Sequence, residues 1–249
     1  MGLRSYIHRK MAPLIYNDGF AIVPPQDRPH WPQRDFLRRL LRRLEIDCVI
    51  DVGANTGDYA AELRMIGFSG TILSFEPDPS CFAVLTERSR GDAKWRIFNM
   101  ALGREKASAE LNIMAAPVFN SFLDPSTDET ESFGDLNHVV DRISVPVERL
   151  DTVFPGLERE HGLGSVFLKM DTQGFDLEVF HGALGILPSL RGLQSELSVK
   201  RLYRSTGQWW EVIQEYEAAG FELADLKAVN AHLEELVESD CYMVRRAAR

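Results

Sequence analysis

Residues 48–63, CVIDVGANTGDYAAEL, decide the fold. An apolar run reaches an acid, Asp51, and a short loop with Gly53 and Gly57 then leads into helix-forming residues. Glycine permits unusual backbone angles and lets a ligand approach the chain closely, and the start of a helix offers amide donors. In open α/β sheets, ligands bind where such strands end. The stretch therefore predicts a buried strand, a ligand-binding turn and a helix.

Apolar, β-branched runs alternate with helix-like runs along the rest of the chain. The predicted strands cover residues 48–52, 71–76, 95–99, 165–171 and 192–197, and the predicted helices cover residues 58–66, 79–89, 175–187 and 208–219. This alternation predicts an α/β fold with a mostly parallel sheet covered by helices on both faces. Two late strand-like runs, residues 221–230 and 241–246, lack a convincing crossover helix and predict a hairpin at the sheet edge.

The alternation is interrupted at residues 107–151. ASAELNIM (107–114) and RISVPVERL (142–150) look like strands, and the polar, turn-rich segment between them is long for a structureless loop. Such a segment is typical of a lid or a binding element. We therefore expect N-terminal cover helices at residues 1–45, including a helix from about residue 35, and one domain at residues 46–249 with an insertion at about 107–151.

The composition is that of a soluble globular protein. The chain has 249 residues, of which 45% are hydrophobic and 26% charged, with a net charge of -9. Nucleic acid is an unlikely partner by this measure, since neutralising phosphates needs basic surface. The three cysteines have no metal-ligand spacing, and no window reaches the roughly 18 apolar residues of a membrane-spanning helix. We expect a cytoplasmic protein.

The turn and the following strand narrow the choice of ligand. GANTG lacks the paired glycines of the dinucleotide fingerprint and the Gly-Lys-Ser/Thr of a triphosphate-binding loop. Glu76, about 20 residues further on, can accept hydrogen bonds from both hydroxyls of a ribose. Asp51 suits a ligand with a positive amino group. S-adenosylmethionine meets both conditions, and the alternative is a plain strand-to-helix turn with an unrelated acid downstream.

Five motifs together resemble the FkbM family of S-adenosylmethionine-dependent methyltransferases. They are VIDVGANTGDYA (49–60), ILSFEPDP (72–79), MALG (100–103), FLKMDTQGFDLEVFHGA (167–183) and LQSELS (193–198). The resemblance covers roughly residues 49–245. It implies the class I methyltransferase fold, Rossmann-like, with a seven-stranded sheet whose last strand is antiparallel. It also implies methyl transfer to oxygen, typically a hydroxyl of a sugar, a glycan or glycolipid, or a polyketide-type natural product, with S-adenosylhomocysteine as the second product.

The resemblance also implies roles for individual residues. The methionine part of the cofactor would be held by Asp51, Gly53, Asn55 and Gly57, the ribose by Glu76, and the adenine would be flanked by residues from Asn99 to Ala101. The sequence departs from the family at one place. The family commonly has acid-x-Glu-Gly after the fourth strand, whereas here Asp171 is followed by Thr172, Gln173 and Gly174. The missing carboxylate puts any metal or charge role at that position in doubt.

Two acids at strand ends are candidates for the chemistry. We expect Asp171 to accept the proton of the acceptor hydroxyl and Glu196 to orient the acceptor. The alternatives are that Asp171 caps the next helix and that Glu196 has a structural partner. FNSF (119–122) would either close over the cofactor or pack as an ordinary loop, and Trp209 and Trp210 would either pack in the core or line an acceptor pocket.

Other functions remain open from the sequence. Methyl transfer to nitrogen is one, although the Asn/Asp-Pro-Pro-aromatic element common in such enzymes is missing after the fourth strand. A cofactor-binding protein that has lost catalysis is another. No spacing predicts a metal site, so Mg²⁺ is not favoured. The sequence leaves open both the acceptor and the oligomeric state, including a homodimer.

Overall fold

The computed structural model describes residues 31–130, 133–229 and 235–246. Most of the predicted N-terminal cover lies outside the described residues, apart from a helix that begins at Trp31, somewhat before the expected start. The six helices described here are α1 (Trp31–Arg43), α2 (Asp58–Met65), α3 (Pro79–Ser89), α4 (Leu150–His161), α5 (Asp176–His181) and α6 (Trp209–Ala218). None of the described helices is long and apolar enough to cross a membrane.

The described strands form two sheets. They are β1 (Cys48–Val52), β2 (Thr71–Phe75), β3 (Trp95–Phe98), β4 (Ala101–Leu102), β5 (Ala107–Met114), β6 (Val139–Glu148), β7 (Val166–Met170), β8 (Leu190–Ser198), β9 (Phe221–Ala228) and β10 (Glu238–Arg245). The main sheet has seven strands in the order β3-β2-β1-β7-β8-β10-β9. Neighbouring strands of this sheet are parallel, except that β10 is antiparallel to both β8 and β9. The expected class I methyltransferase sheet is thus confirmed.

Both faces of the main sheet are buried, which explains why β1 and β7 consist of continuous apolar runs broken by one charged residue each. Side chains alternate between the two faces. Val49 of β1 packs with residues of α1, α2 and α3, whereas Ile50 packs with residues of α4, α5 and α6. Three of the described helices therefore cover each face. The ends of the parallel strands lie together between these two helix layers.

The predicted helices and strands agree with the structure to within a few residues, with three exceptions, one of which is the two-residue strand β4, which was not expected. The predicted helix at 175–187 is divided into the short helix α5 and a 3-10 turn, Leu184–Ile186. Helix α4 was not expected, and it contains Pro155 followed by Gly156, a pair that usually marks a turn. Pro155 is the sixth residue of this helix and has no N–H to bond to the carbonyl of Asp151, so the helix forms despite one missing hydrogen bond.

The insertion forms the second sheet, in the order β4-β6-β5. Its two long strands, β5 and β6, pair antiparallel, so the strand predictions there are confirmed. The connection between them packs through Phe119 against Leu202, Tyr203 and Val237. Ser121 donates a hydrogen bond of 2.7 Å to the backbone oxygen of Gln173. These contacts hold the insertion against the loops that follow β7 and β8.

Candidate active site

The turn after β1 is fixed by its packing. Gly53 has a φ of 75°, and a Cβ on it would lie 1.9 Å from the backbone oxygen of Asp171. Gly57 has a φ of 88°, and its Cβ would lie 2.7 Å from Leu85 and 3.0 Å from Trp95. A larger residue at either position would force the turn away from its neighbours. The two glycines therefore set the position of the turn against β7 and α3.

A pocket of about 670 Å³, counted out to its open mouth, lies between this turn, the end of β2 and the insertion. Of the residues predicted to bind the cofactor, Gly53, Asn55, Glu76 and Ala101 line this pocket. Asp51, Gly57 and Asn99 do not line it.

Glu76 lies almost buried at the end of β2. One carboxylate oxygen accepts a hydrogen bond from the backbone N–H of Asn55 at 2.7 Å, and the other accepts one from that of Asp78 at 2.8 Å. Burial raises the pKa of Glu76 to about 7, against the opposing effect of these two amides. Each oxygen keeps a second lone pair. The carboxylate is thus held rigidly while it can still accept further hydrogen bonds.

Asn99 supports this segment from outside. Its amide donates hydrogen bonds to the backbone oxygens of Glu76, at 2.9 Å, and Pro77, at 3.1 Å. The side chain thereby ties the end of β3 to the chain that carries Glu76. The contact of Asn99 with adenine stays a prediction. Ala101, for which the same contact is predicted, lines the pocket.

Asp51 is fully buried in the main sheet, next to a lysine that the sequence analysis did not single out. Lys169 Nζ lies 3.2 Å from Asp51 Oδ1 and 3.3 Å from Asp171 Oδ2. Ser74 donates a further hydrogen bond of 3.1 Å to Asp51. Burial acts to lower the pKa of Lys169, but the charges of Asp171 and Asp51 raise it above its usual value. Lys169 therefore links Asp51, beneath the glycine turn, to Asp171, at the pocket wall.

A lysine inside an apolar strand was the sequence signal for this contact. A buried Lys needs an anionic partner. The motif FLKM (167–170) contains such a lysine. Its partner on the neighbouring strand becomes evident only with the register, which pairs Asp51 with Lys169.

The two predicted catalytic acids meet at one amide. Gln173 Nε2 donates hydrogen bonds to Glu196 Oε2 at 2.7 Å and to Asp171 Oδ1 at 3.3 Å. The hydroxyl of Tyr203 lies 2.7 Å from Gln173 Oε1 and 2.9 Å from the backbone oxygen of Phe119. Because carboxylates only accept hydrogen bonds when ionised, the nitrogen of the amide must face them. Gln173 and Tyr203 are functional candidates that the sequence analysis did not identify as such.

The two acids differ in their surroundings. The side chain of Asp171 is 39% exposed and paired with Lys169. Burial, together with the neighbouring charges of Asp171 and Glu238, raises the pKa of Glu196 well above its usual value. The pair therefore combines an ion-paired carboxylate with a carboxyl group that resists ionisation.

A third acid nearby, Asp176, is saturated with partners. It accepts hydrogen bonds from the N–H and hydroxyl of Thr172, from the hydroxyl of Ser195 and from the N–H of Glu196. These bonds tie the loop after β7 to the end of β8, which makes Asp176 a structural residue. Within the described residues, no three His, Cys, Asp or Glu side chains are grouped so that they could hold a metal ion.

The FNSF motif contains one residue that packs inside the insertion and three residues that line the pocket. Phe119 is buried in the insertion cluster. Asn120, Ser121 and Phe122 line the pocket, and the ring of Phe122 packs against that of Phe175 at a tilt of 50°, with centroids 4.9 Å apart. The insertion thus supplies one wall of the cofactor pocket.

Comparison with protein families gives one decisive match. The model of the methyltransferase FkbM domain matches residues 51–223, which include the glycine turn, Glu76, the Asp171–Gln173 loop and Glu196. The chain belongs to the FkbM methyltransferase family. It is accordingly an S-adenosylmethionine-dependent methyltransferase, as the sequence motifs predict. No curated protein matches the sequence at a significant level.

Solved structures of methyltransferases resemble this FkbM protein at low identity. Magnesium protoporphyrin IX methyltransferase from Synechocystis PCC 6803, with bound S-adenosylmethionine, is 11% identical with a TM-score of 0.48, covering 98% of this chain and 95% of its own. An rRNA methylase from Streptococcus thermophilus is 11% identical with a TM-score of 0.44, covering 91% and 99%. Methanococcus jannaschii fibrillarin is 10% identical with a TM-score of 0.44, covering 82% and 68%. Because these values are low, the assignment rests on the family match.

Proposed function

We propose that this FkbM methyltransferase methylates a hydroxyl group of a sugar, a glycan or glycolipid, or a polyketide-type natural product. The observation that carries the proposal is the placement of Asp171. Its carboxylate lies at the wall of the cofactor pocket, ion-paired with a buried lysine and joined to a second acid through Gln173. A hydroxyl needs a nearby base to become a good nucleophile, and Asp171 can serve as that base.

The pocket fits a nucleoside that carries no phosphate. Glu76 keeps lone pairs for the ribose hydroxyls. Among the described residues that line the pocket, none is Lys, Arg or His, so the site offers no side-chain cation to a pyrophosphate. In this proposal, Gly53 and Asn55 contact the methionine part and Ala101 the adenine. Asp51, Gly57 and Asn99 act without lining the pocket, through Lys169, through packing and through the Glu76 segment.

The residues divide the chemical work between them. When bound, S-adenosylmethionine supplies an electrophilic methyl group on a sulfonium. The acceptor oxygen must lie roughly 3 Å from that carbon, in line with the bond that breaks. Asp171 takes the proton of the hydroxyl as the new oxygen–carbon bond forms, and Lys169 holds the Asp171 carboxylate in place. Glu196, through Gln173, fixes the acceptor. A positioned base contributes roughly 10²–10⁴-fold to such a step.

A methyl-transfer assay tests the proposal. The purified protein is incubated with S-adenosylmethionine and a panel of glycosides, polyketides and primary amines, and the products are identified by mass spectrometry and NMR. We expect methyl ethers from hydroxyl acceptors. Methylated amines with no ethers would instead identify a nitrogen-directed enzyme. Cofactor binding without transfer to any acceptor would indicate a binding protein and overturn the proposal.

A further inference from the structure

A second pocket lies beside the cofactor pocket and shares none of its lining residues. It has about 860 Å³ counted out to its mouth, and it is formed by the start of α5, the end of β8 and the loop that leads into α6. At two places, consecutive residues of the chain line different pockets. Gln173 lines the cofactor pocket and Gly174 the second pocket, and the same division occurs between Phe122 and Leu123.

The two catalytic candidates are divided in the same way. Asp171 lines the cofactor pocket, whereas Glu196 lines the second pocket. Both acids contact the same amide nitrogen, that of Gln173. The amide therefore marks the point where the pockets meet. A molecule held by Glu196 in the second pocket lies one amide group away from the proposed base.

The second pocket has a distinctive chemistry. Among the described residues that line it, none is basic and three are acids: Asp176, whose oxygens are occupied by internal hydrogen bonds, and Glu178 and Glu196. Its hydroxyl groups come from Ser198, Ser205 and Thr206, and Trp209 adds a partly buried indole. Carboxyl groups and hydroxyls bond to the hydroxyls of a sugar ring, and an indole packs on its apolar face. Arg104, which donates two hydrogen bonds of 3.0 Å to Glu178, does not line the pocket, so a phosphate or carboxylate here would find no cation among the described lining residues.

From this we infer that the second pocket is the acceptor site, and that it takes an uncharged, polyhydroxylated ring rather than a phosphorylated or acidic sugar. The inference rests on the proposed function and specifies its substrate class. Glu196 binds hydroxyls of the ring, and the hydroxyl to be methylated points past Gln173 toward Asp171. Asp171 receives the proton of the hydroxyl that is methylated, so the ring does not need an acidic group of its own.

The first experiment compares matched acceptors. Methyl glycosides and the corresponding sugar phosphates are assayed for methyl transfer under identical conditions. We expect kcat/KM for the uncharged glycosides to be at least about tenfold higher, by the loss expected for an unpaired charge at a site without a cation. Glu178→Lys should narrow this preference, because it adds a cation at the pocket wall. A preference of the wild type for phosphates would overturn the inference.

The second experiment fills the pocket. Thr206→Trp and Ser198→Trp each place a large ring in the proposed acceptor site, and Val140→Trp, at a position on β6 that is 58% exposed, is the matched control. We expect the two pocket variants to lose at least about tenfold in kcat/KM for the glycoside while the Kd of S-adenosylhomocysteine stays within about twofold. The control should keep both values.

The outcomes separate this inference from the proposed function. Ether formation that is unaffected by both pocket variants, with cofactor affinity intact, would leave the proposed function standing and show that the acceptor binds elsewhere. Failure of every acceptor class would remove both. Retained cofactor affinity shows that each variant folds, and if one variant fails to fold, the other still decides.

Discussion

Lys169 is the side chain on which several parts of the site depend. It is the cation between Asp51, beneath the glycine turn, and Asp171, at the pocket wall, and its Nζ also lies 3.4 Å from the backbone oxygen of Gly53. Through these contacts it sets the distance between the cofactor turn and the proposed base. A change at Lys169 should therefore affect folding and catalysis together.

Lys169→Met should lower the free energy of unfolding by about 3 kcal/mol, because it leaves Asp51 buried without its cation. The contribution of Asp171 is smaller, since its side chain is 39% exposed and can be solvated by water. Denaturation with urea measures the loss. Adding Asp51→Asn to the variant should restore part of the stability. A variant as stable as the wild type would show that the ion pair contributes nothing.

Asp171→Asn keeps the shape of the side chain and removes the base. Turnover should fall at least about 100-fold, while the affinity for S-adenosylhomocysteine changes by no more than a few-fold. Steady-state kinetics and calorimetry measure the two quantities. If Glu196→Gln lowers turnover in this way and Asp171→Asn does not, the roles of the two acids are exchanged.

The pKa of Glu76 predicts a pH dependence of cofactor binding. Because burial raises this pKa to about 7, the carboxylate that we propose as the acceptor of the ribose hydroxyls becomes protonated as the pH falls below that value. The affinity for S-adenosylhomocysteine should decrease roughly tenfold for each pH unit below the pKa. Calorimetry from about pH 8 to about pH 5.5 measures the change. Glu76→Gln should bind more weakly and without this dependence, and an equal slope in both proteins would exclude Glu76 as its source.

At the level of elements, a buried phenol connects the insertion to the side chain of Gln173 in the loop after β7. Tyr203, in the loop after β8, contacts the insertion at Phe119 and orients the amide of Gln173. This contact is what lets the connection between β5 and β6 influence the two acids. The buried hydroxyl of Tyr216, which donates to Ser195 at 2.8 Å, makes no such contact and offers a comparison.

Tyr203→Phe should lower kcat by about tenfold, because the Gln173 amide loses the partner that keeps its nitrogen toward Asp171 and Glu196. The cost in stability should be about 1–2 kcal/mol, as for other buried hydrogen bonds. Tyr216→Phe should have a similar cost in stability and leave kcat unchanged. Kinetics and thermal unfolding of the two variants decide the matter: an equal loss of kcat in both would mean that the effect of Tyr203 is only structural.

The sequence allowed the elements to be predicted where their pattern is local. β1 and β7 are apolar runs, and α3 begins with Asp78 as its cap, which accepts a hydrogen bond from Ser80. Helix α4 was missed since Pro155 and Gly156 favour a turn. The contacts of Lys169 could not be predicted because they depend on the register between neighbouring strands.

For the whole molecule, buried acids make stability depend on pH in an unusual direction. Burial raises the pKa of Glu76 to about 7 and that of Asp240 to about 6. For a carboxyl group with a raised pKa, the folded state binds more protons than the unfolded state between the two pKa values. The stabilising contribution is therefore complete below the unfolded pKa and is lost as the pH rises through the folded pKa.

The protein without cofactor should accordingly lose this part of its stability between about pH 4.5 and about pH 7, and Glu76 alone accounts for on the order of 3 kcal/mol. Chemical denaturation at several pH values, compared between the wild type and Glu76→Gln, isolates its share from those of the other acids. We expect the difference between the two proteins to change in favour of the variant as the pH rises. A difference that is constant with pH would contradict the shifted pKa.

The separation of the two pockets has an evolutionary consequence. Because no residue lines both, a substitution in the second pocket at a position other than Glu196, which binds Gln173, replaces no lining residue of the cofactor pocket. Effects of substitutions at distant sites without shared partners tend to add independently. A lineage with this architecture can therefore drift toward new acceptors one residue at a time without passing through forms that have lost the methyl donor. A substitution at Gln173, where the pockets meet, would affect both pockets together.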